Sequence, residues 1–155
     1  MNKYIGTKLI EAEPMNLGDY NKFQGWKIPK NEDPLRAGYK VKYSDTYISW
    51  SPKEVFESAY LKVRSNPILT KSDVSIYQEM VNDFIKEVHV STIGNKTTLV
   101  RVILVNGFEI IESSACVDKE NYSEKIGGEV CLDKIKNKVW FLLGFLLQTA
   151  VGGIK

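Results

Sequence analysis

The sequence predicts an α+β fold. Three observations point there. Asn106-Gly107 sits between two apolar arms and reads as a β-hairpin turn. Ser51-Pro52 opens a short amphipathic segment and reads as a helix start. The run VWFLLGFLL, residues 139–147, is apolar all round and reads as part of a long C-terminal helix. The expected layout is a small N-terminal three-stranded β/α module over residues 1–63 and a linker over 64–72. A second α+β domain follows over 73–155: a helix, an antiparallel hairpin-based sheet and the long apolar helix.

In chain order, YIGTKLIEA (4–12) reads as a first strand stopped by Pro14. NLGDYNKF (16–23) reads as a short helix with Asn16 as its cap, ending at Gly25. Residues 25–39 hold two prolines and charges and read as a loop anchored by Trp26 and Ile28. GYKVKY (38–43) and TYISW (46–50) read as two strands joined at Ser44-Asp45. SPKEVFESAY (51–60) has Ser51 at the cap, Pro52 at the first helical position and Glu54 three residues after the cap, the pattern of a capping box. Its buried stripe would be Val55, Phe56 and Ala59.

Residues 64–70 lack periodicity. KSDVSIYQEMVNDF (71–84) reads as a helix capped by Ser72 or Thr70, with Val74, Tyr77 and Val81 on one stripe. IKEVHVSTI (85–93) reads as a strand, turned by Gly94-Asn95. Leu99 to Val105 is apolar except for Arg101, and apolar residues at both parities predict cover on both faces. A two-residue type I′ turn at Asn106-Gly107 would need φ > 0 at both positions. Beyond it, Phe108, Ile110 and Glu112 share one face. Asp118 is the expected cap of the last helix, whose stripe begins Ile126, Val130, Ile135. Gly127-Gly128 marks either a break in that helix or a close backbone approach to the sheet.

Composition bounds the function. The chain of 155 residues is 43% hydrophobic and 26% charged, with net charge +2. Lys+Arg stand against Asp+Glu as 11 to 8 in the first 65 residues and 10 to 11 in the rest. Neither half has the basic excess of a nucleic-acid binder. Two cysteines, Cys116 and Cys131, without a CxxC pair give no zinc signature, and no cofactor motif is present. The first residues lack the apolar stretch of a secretory signal, so the expected location is the cytoplasm. Cys116 and His89 form the one Cys/His combination; a strand-end cysteine of this kind is more often a small packing residue than a nucleophile. The reading is therefore non-catalytic.

Candidate binding residues are few. Arg101, alone in an apolar strand, wants an anionic partner. That partner is either Glu109 or Glu112 across the hairpin, or the phosphate of a bound nucleotide. The first module is rich in aromatics with lysines between them. Trp26, Lys27, Tyr47 and Trp50 could stack a base and hold a phosphate, and sheet packing is the plainer account. Lys134, Lys136 and Lys138 form a basic cluster on the last helix. The apolar run around Trp140, Leu143, Leu146 and Leu147 predicts a subunit interface and hence a homo-oligomer; it ends too soon to span a bilayer.

Two blocks carry a resemblance. Asn106-Gly107-Phe108, Glu112, Ser114-Ala115-Cys116, Glu120-Asn121-Tyr122, Ile126-Gly127, Lys138 and Trp140 resemble, in order, the phage gene product forty-nine family. Ser113, Arg101 and Gly128 depart from that pattern. The first block, through GYKVKYSDTYISWSPKEVFESAY, resembles a module carried by many phage accessory proteins. Some of these look like sponges that sequester immune nucleotides, the anti-CBASS and Thoeris anti-defence proteins. The resemblance implies a phage accessory protein in the host cytoplasm that sequesters a cyclic nucleotide or ADP-ribose-type ligand. The alternatives are a protein–protein inhibitor of a host defence or regulatory protein, and a structural or scaffold role in the phage particle.

Overall fold

The computed structural model describes residues 1–64, 66–70 and 74–154. The fold is α+β, with two three-stranded antiparallel sheets. The chain divides into two compact units. One is Met1–Lys62 together with the chain from Thr149 onward, and the other is Val63–Gln148.

In the first unit the strands are β1 (Glu11–Pro14), β2 (Gly38–Lys42) and β3 (Ile48–Pro52), in the order β1-β2-β3. The expected strand over 4–12 is displaced: pairing starts only at Glu11, opposite Lys42, and runs to Pro14, opposite Tyr39. Helix α1 (Leu17–Phe23) begins where predicted, with the Asn16 side chain accepting from the Asp19 N–H at 2.8 Å. Helix α2 (Lys53–Ala59) does not use the predicted capping box. Ser51 is paired with Tyr39 inside β3, so its backbone belongs to the sheet and Pro52 takes the cap position. Of the expected stripe, Val55 and Ala59 are exposed. Phe56 is half-buried and stacks between Tyr39 and Tyr60, at 4.2 and 4.8 Å between centroids. The Leu9 N–H donates to the Ala150 carbonyl at 3.3 Å, so the last turn of the C-terminal helix is part of this unit.

The second unit is two layers. Its sheet is β4 (Ile85–Ile93), β5 (Thr97–Leu104) and β6 (Glu109–Ala115), in that order. Helix α3 (Gln78–Phe84) is shorter than the predicted 71–84; Tyr77 stands at its cap, and the alternative cap Ser72 lies outside the described residues. Helix α4 runs from Glu124 to Gly152. Met80 and Val81 of α3 join Val100, Val102, Leu104 and Ile110 of the sheet and Cys131, Ile135, Val139 and Leu143 of α4 in one core. The α4 residues recur every four positions, the spacing of one helical face. Ile126 and Val130, expected in the stripe, are exposed.

β5 alternates buried and half-buried along its length, so helices cover one face and not both. The hairpin turn also differs from prediction. The Gly107 N–H donates to the Leu104 carbonyl at 2.9 Å, and Gly107 has φ 82° while Asn106 does not enter positive φ. This is a three-residue loop, a type I turn followed by a left-handed glycine. Asp118 caps a single 3-10 turn, Lys119–Asn121, and not the long helix. Ser123 serves α4, its Oγ accepting from the Ile126 N–H at 3.3 Å.

Gly127-Gly128 is a close approach, not a break, since α4 is continuous through it. A Cβ on Gly127 would stand 2.7 Å from Thr98 Cβ and closer still to Thr98 Oγ1. One on Gly128 would meet Val90 Cγ1 at an ordinary 3.5 Å.

Candidate functional site

The aromatic residues of the first unit are divided between the faces of its sheet. Lys40 is registered with Trp50 and Val41 with Ser49, so Trp50 shares a face with Lys40 and Lys42. Continuing the register, Tyr47 stands opposite Tyr43 on the other face, where the two rings stack at 5.9 Å. Trp50 is already engaged: its Nε1–H donates to the Met15 carbonyl at 2.8 Å and the Arg36 guanidinium lies 5.9 Å from its ring. The lysines beside it are engaged too. Lys40 pairs with Glu13 and lies 4.7 Å from the Phe23 ring; Lys42 pairs with Glu11 at 3.2 Å. Trp26 packs edge-on against Tyr20 at 6.1 Å, and Lys27 is exposed beside it. The predicted quartet of Trp26, Lys27, Tyr47 and Trp50 is not drawn into one pocket by the sheet.

On the Tyr47 face, Tyr39 and Tyr60 are held in their neutral form. The Glu57 carboxylate accepts from the Tyr39 hydroxyl at 2.9 Å, and this bond, followed by partial burial, raises the Tyr39 pKa. Burial raises that of Tyr60, with Tyr43 beside it adding to the effect.

Arg101 is not enclosed. Its side chain is 41% exposed and its Nη1–H donates to both carboxylate oxygens of Glu109, at 3.2 and 3.3 Å. The cross-hairpin ion pair is therefore formed, through Nη1, and it matches the charge of the guanidinium. Glu112, the other carboxylate weighed for Arg101, instead holds Lys138 of α4. The Lys138 ammonium, helped by Lys134, lowers the Glu112 pKa against the opposing effect of burial.

Cys116 and His89 are apart. His89 is registered with Arg101 and Arg101 with Ile111, whereas Cys116 lies five residues further along that strand line, roughly 16 Å away. Cys116 Sγ–H donates to the Asp118 carbonyl at 3.0 Å, and His89 Nε2 lies 3.2 Å from Glu87. Cys131 is buried in the core, and desolvation pushes its thiol pKa up.

The residues expected at a subunit interface separate on α4. Leu143 is 2% exposed and belongs to the chain's own core, which corrects its assignment. Leu147 is half-buried, while Trp140 and Leu146 are exposed. What sequence reasoning missed is a groove of about 560 Å³ between β6 and α4. It is lined by Phe108 and Ile110 on one side and Phe141 and Leu142 on the other, with Lys138 at the rim. The signal was present in Phe108, on the same side of the hairpin as the core residue Leu104, and in Phe141 and Phe145, one turn apart on α4.

Residues 76–151 match the phage protein (N4 Gp49/phage Sf6 gene 66) family. The match runs from just before α3 to the last turn of α4 and supports a phage-associated protein. It leaves residues 1–75 outside, including the whole module compared above with phage accessory proteins. No curated protein and no solved structure matches the chain. Within the matched part, three of the residues that carried the forty-nine resemblance, Tyr122, Gly127 and Lys138, fasten α4 to the sheet. The Tyr122 hydroxyl hydrogen-bonds Thr92 at 2.7 Å and Thr98 at 3.0 Å. Gly127 admits the Thr98 side chain, and Lys138 reaches Glu112. These are docking contacts between two layers; none of them leaves an open charge for a ligand. No helix among the described residues is long and apolar enough to cross a membrane.

Proposed function

We propose that this is a phage accessory protein that acts without catalysis, by protein–protein contact, and that the groove between β6 and α4 is its contact surface. An inhibitor of a host defence or regulatory protein works this way, and so does a scaffold of the particle. The observation that carries the reading is the chemistry of the groove. Phe108, Ile110, Phe141 and Leu142 line it, and the nearby cations Lys138 and Arg101 are already matched by Glu112 and Glu109. A nucleotide pocket needs unmatched positive charge for phosphate; an apolar surface with paired charges at its rim suits another protein.

The test is a photo-crosslinking residue at position 141 of the full chain, expressed in a defence-positive host. A covalent protein adduct is expected. In parallel, cyclic di- and trinucleotides and cyclic ADP-ribose isomers at 100 µM should leave the melting temperature unchanged. Sequestration of such a ligand would add about 2.7 kcal/mol at 100 times its Kd, roughly 5 °C or more. A shift of that size with no protein adduct would overturn the reading and return attention to Trp26, Lys27 and Tyr47.

A further inference from the structure

The two edges of the second sheet are built differently. β4 carries a register irregularity between Ile85 and Glu87, with Lys86 and Glu87 at that point. A bulge with charges is the usual way an edge strand is kept from pairing with another chain. β6 has no irregularity in its register with β5, no proline and no lysine.

The phase of β6 is set at both ends. The Leu104 N–H donates to the Phe108 carbonyl at 2.8 Å, and the Cys116 N–H donates to the Lys96 carbonyl at 3.0 Å. Even-numbered residues between them therefore turn their backbone groups toward β5. Those of Glu109, Ile111, Ser113 and Ala115 project outward. Beside this edge lies the groove. Phe108, Phe141, Leu142, Phe145 and Leu146 are 38–74% exposed. At roughly 200 Å² for each fully exposed side chain of this size, they present about 550 Å². That matches the roughly 500 Å² of apolar area on each side of a standard homodimer interface.

We propose that a second copy of this chain covers the groove, its β6 pairing antiparallel with β6 about a two-fold axis to make a six-stranded sheet. The proposal rests on the protein-contact reading and names the partner. A two-fold axis perpendicular to the sheet keeps both α4 helices on one side, so Phe141 and Phe145 close over the same apolar surface of the other copy. Pairing centred on Ile111 places Glu109 opposite the partner's Ser113 and Glu112 opposite the partner's Ile110, so no two carboxylates face each other. The ion pairs Arg101–Glu109 and Lys138–Glu112 are already closed within each chain and add no unmatched charge to the interface.

The experiment is sedimentation of the full chain from 1 to 100 µM, with hydrogen exchange read at the Ile111 and Ser113 amides. A dimer is expected, with both amides protected more strongly as concentration rises. Ser113→Pro removes an outward N–H without touching the β5 ladder, and Phe141→Asp puts a carboxylate into the closed groove. Each should weaken the dimer at least a hundredfold while the far-ultraviolet circular dichroism is kept; if one variant misfolds, the other carries the test. A monomer at 100 µM, or a dimer unchanged in both variants, overturns the proposal. A monomer whose position 141 crosslinks to a different protein overturns it and leaves the protein-contact function standing. A monomer with no protein adduct overturns both.

Discussion

Gly127→Ala and Gly144→Ala are the same chemical change in the same helix, and they should act in opposite directions. In a helix interior, alanine is favoured over glycine by about 1 kcal/mol. At Gly144 a new Cβ meets nothing within 4 Å, so that gain is kept. At Gly127 the new methyl group lands on Thr98, which is fully buried in β5 and whose hydroxyl is held by Tyr122. The clash is with a side chain fixed in a core strand, not with the end of a mobile one. Overpacking of this kind costs about 1–3 kcal/mol, which offsets the helical gain or exceeds it by up to about 2 kcal/mol. For a chain of this size each kcal/mol moves the melting temperature by roughly 2–4 °C. Gly144→Ala should therefore raise it by about 2–4 °C and Gly127→Ala should lower it by up to about twice that. Gly128→Ala, whose Cβ would make only an ordinary contact with Val90, should follow Gly144. The assay is thermal unfolding at fixed protein concentration. If Gly127→Ala stabilises as much as Gly144→Ala, the helix is not seated on Thr98 as described and the argument fails.

Leu143→Ala should cost about 2–5 kcal/mol in denaturant unfolding, equally at low and high protein concentration, because Leu143 fills the chain's own core. Glu112 has a lowered pKa, so the stability it contributes is present at neutral pH and is lost as the pH falls below its ordinary value of 4.5 and through the depressed one. Glu112→Gln should flatten the pH dependence of unfolding in that acid window. Cys116→Ser and His89→Ala should each leave the biological effect intact; a tenfold loss from both, with the fold preserved, would point to chemistry after all.

The second unit was the more legible in the sequence. β4 could be placed to the residue because Ile85 to Ile93 is bounded by a phenylalanine-ended helix and a glycine turn. The first unit was harder, for a physical reason seen at Ser51. Locally, Ser51, Pro52 and Glu54 make a good helix start. The sheet nevertheless claims Ser51 through its pairing with Tyr39, and that pairing is invisible in a local window. Residues 4–10 show the converse: a strand-like pattern that finds no strand partner. For the site, the Arg101–Glu109 pair was readable because both residues lie on one hairpin. The groove was not, because β6 and α4 contribute walls some thirty residues apart and nothing in either segment names the other.

The first unit is discontinuous along the chain, and this sets an order on biosynthesis. Residues 1–62 leave the ribosome first, but the piece that carries the Ala150 carbonyl for Leu9 belongs to the same unit and is made 87 residues after Lys62. At 5–20 residues per second that is a wait of roughly 4–17 s. The intervening residues 63–148 hold their core within themselves, so they can pack while the earlier module is still incomplete. The part of the chain that is translated first is thus the last to be finished.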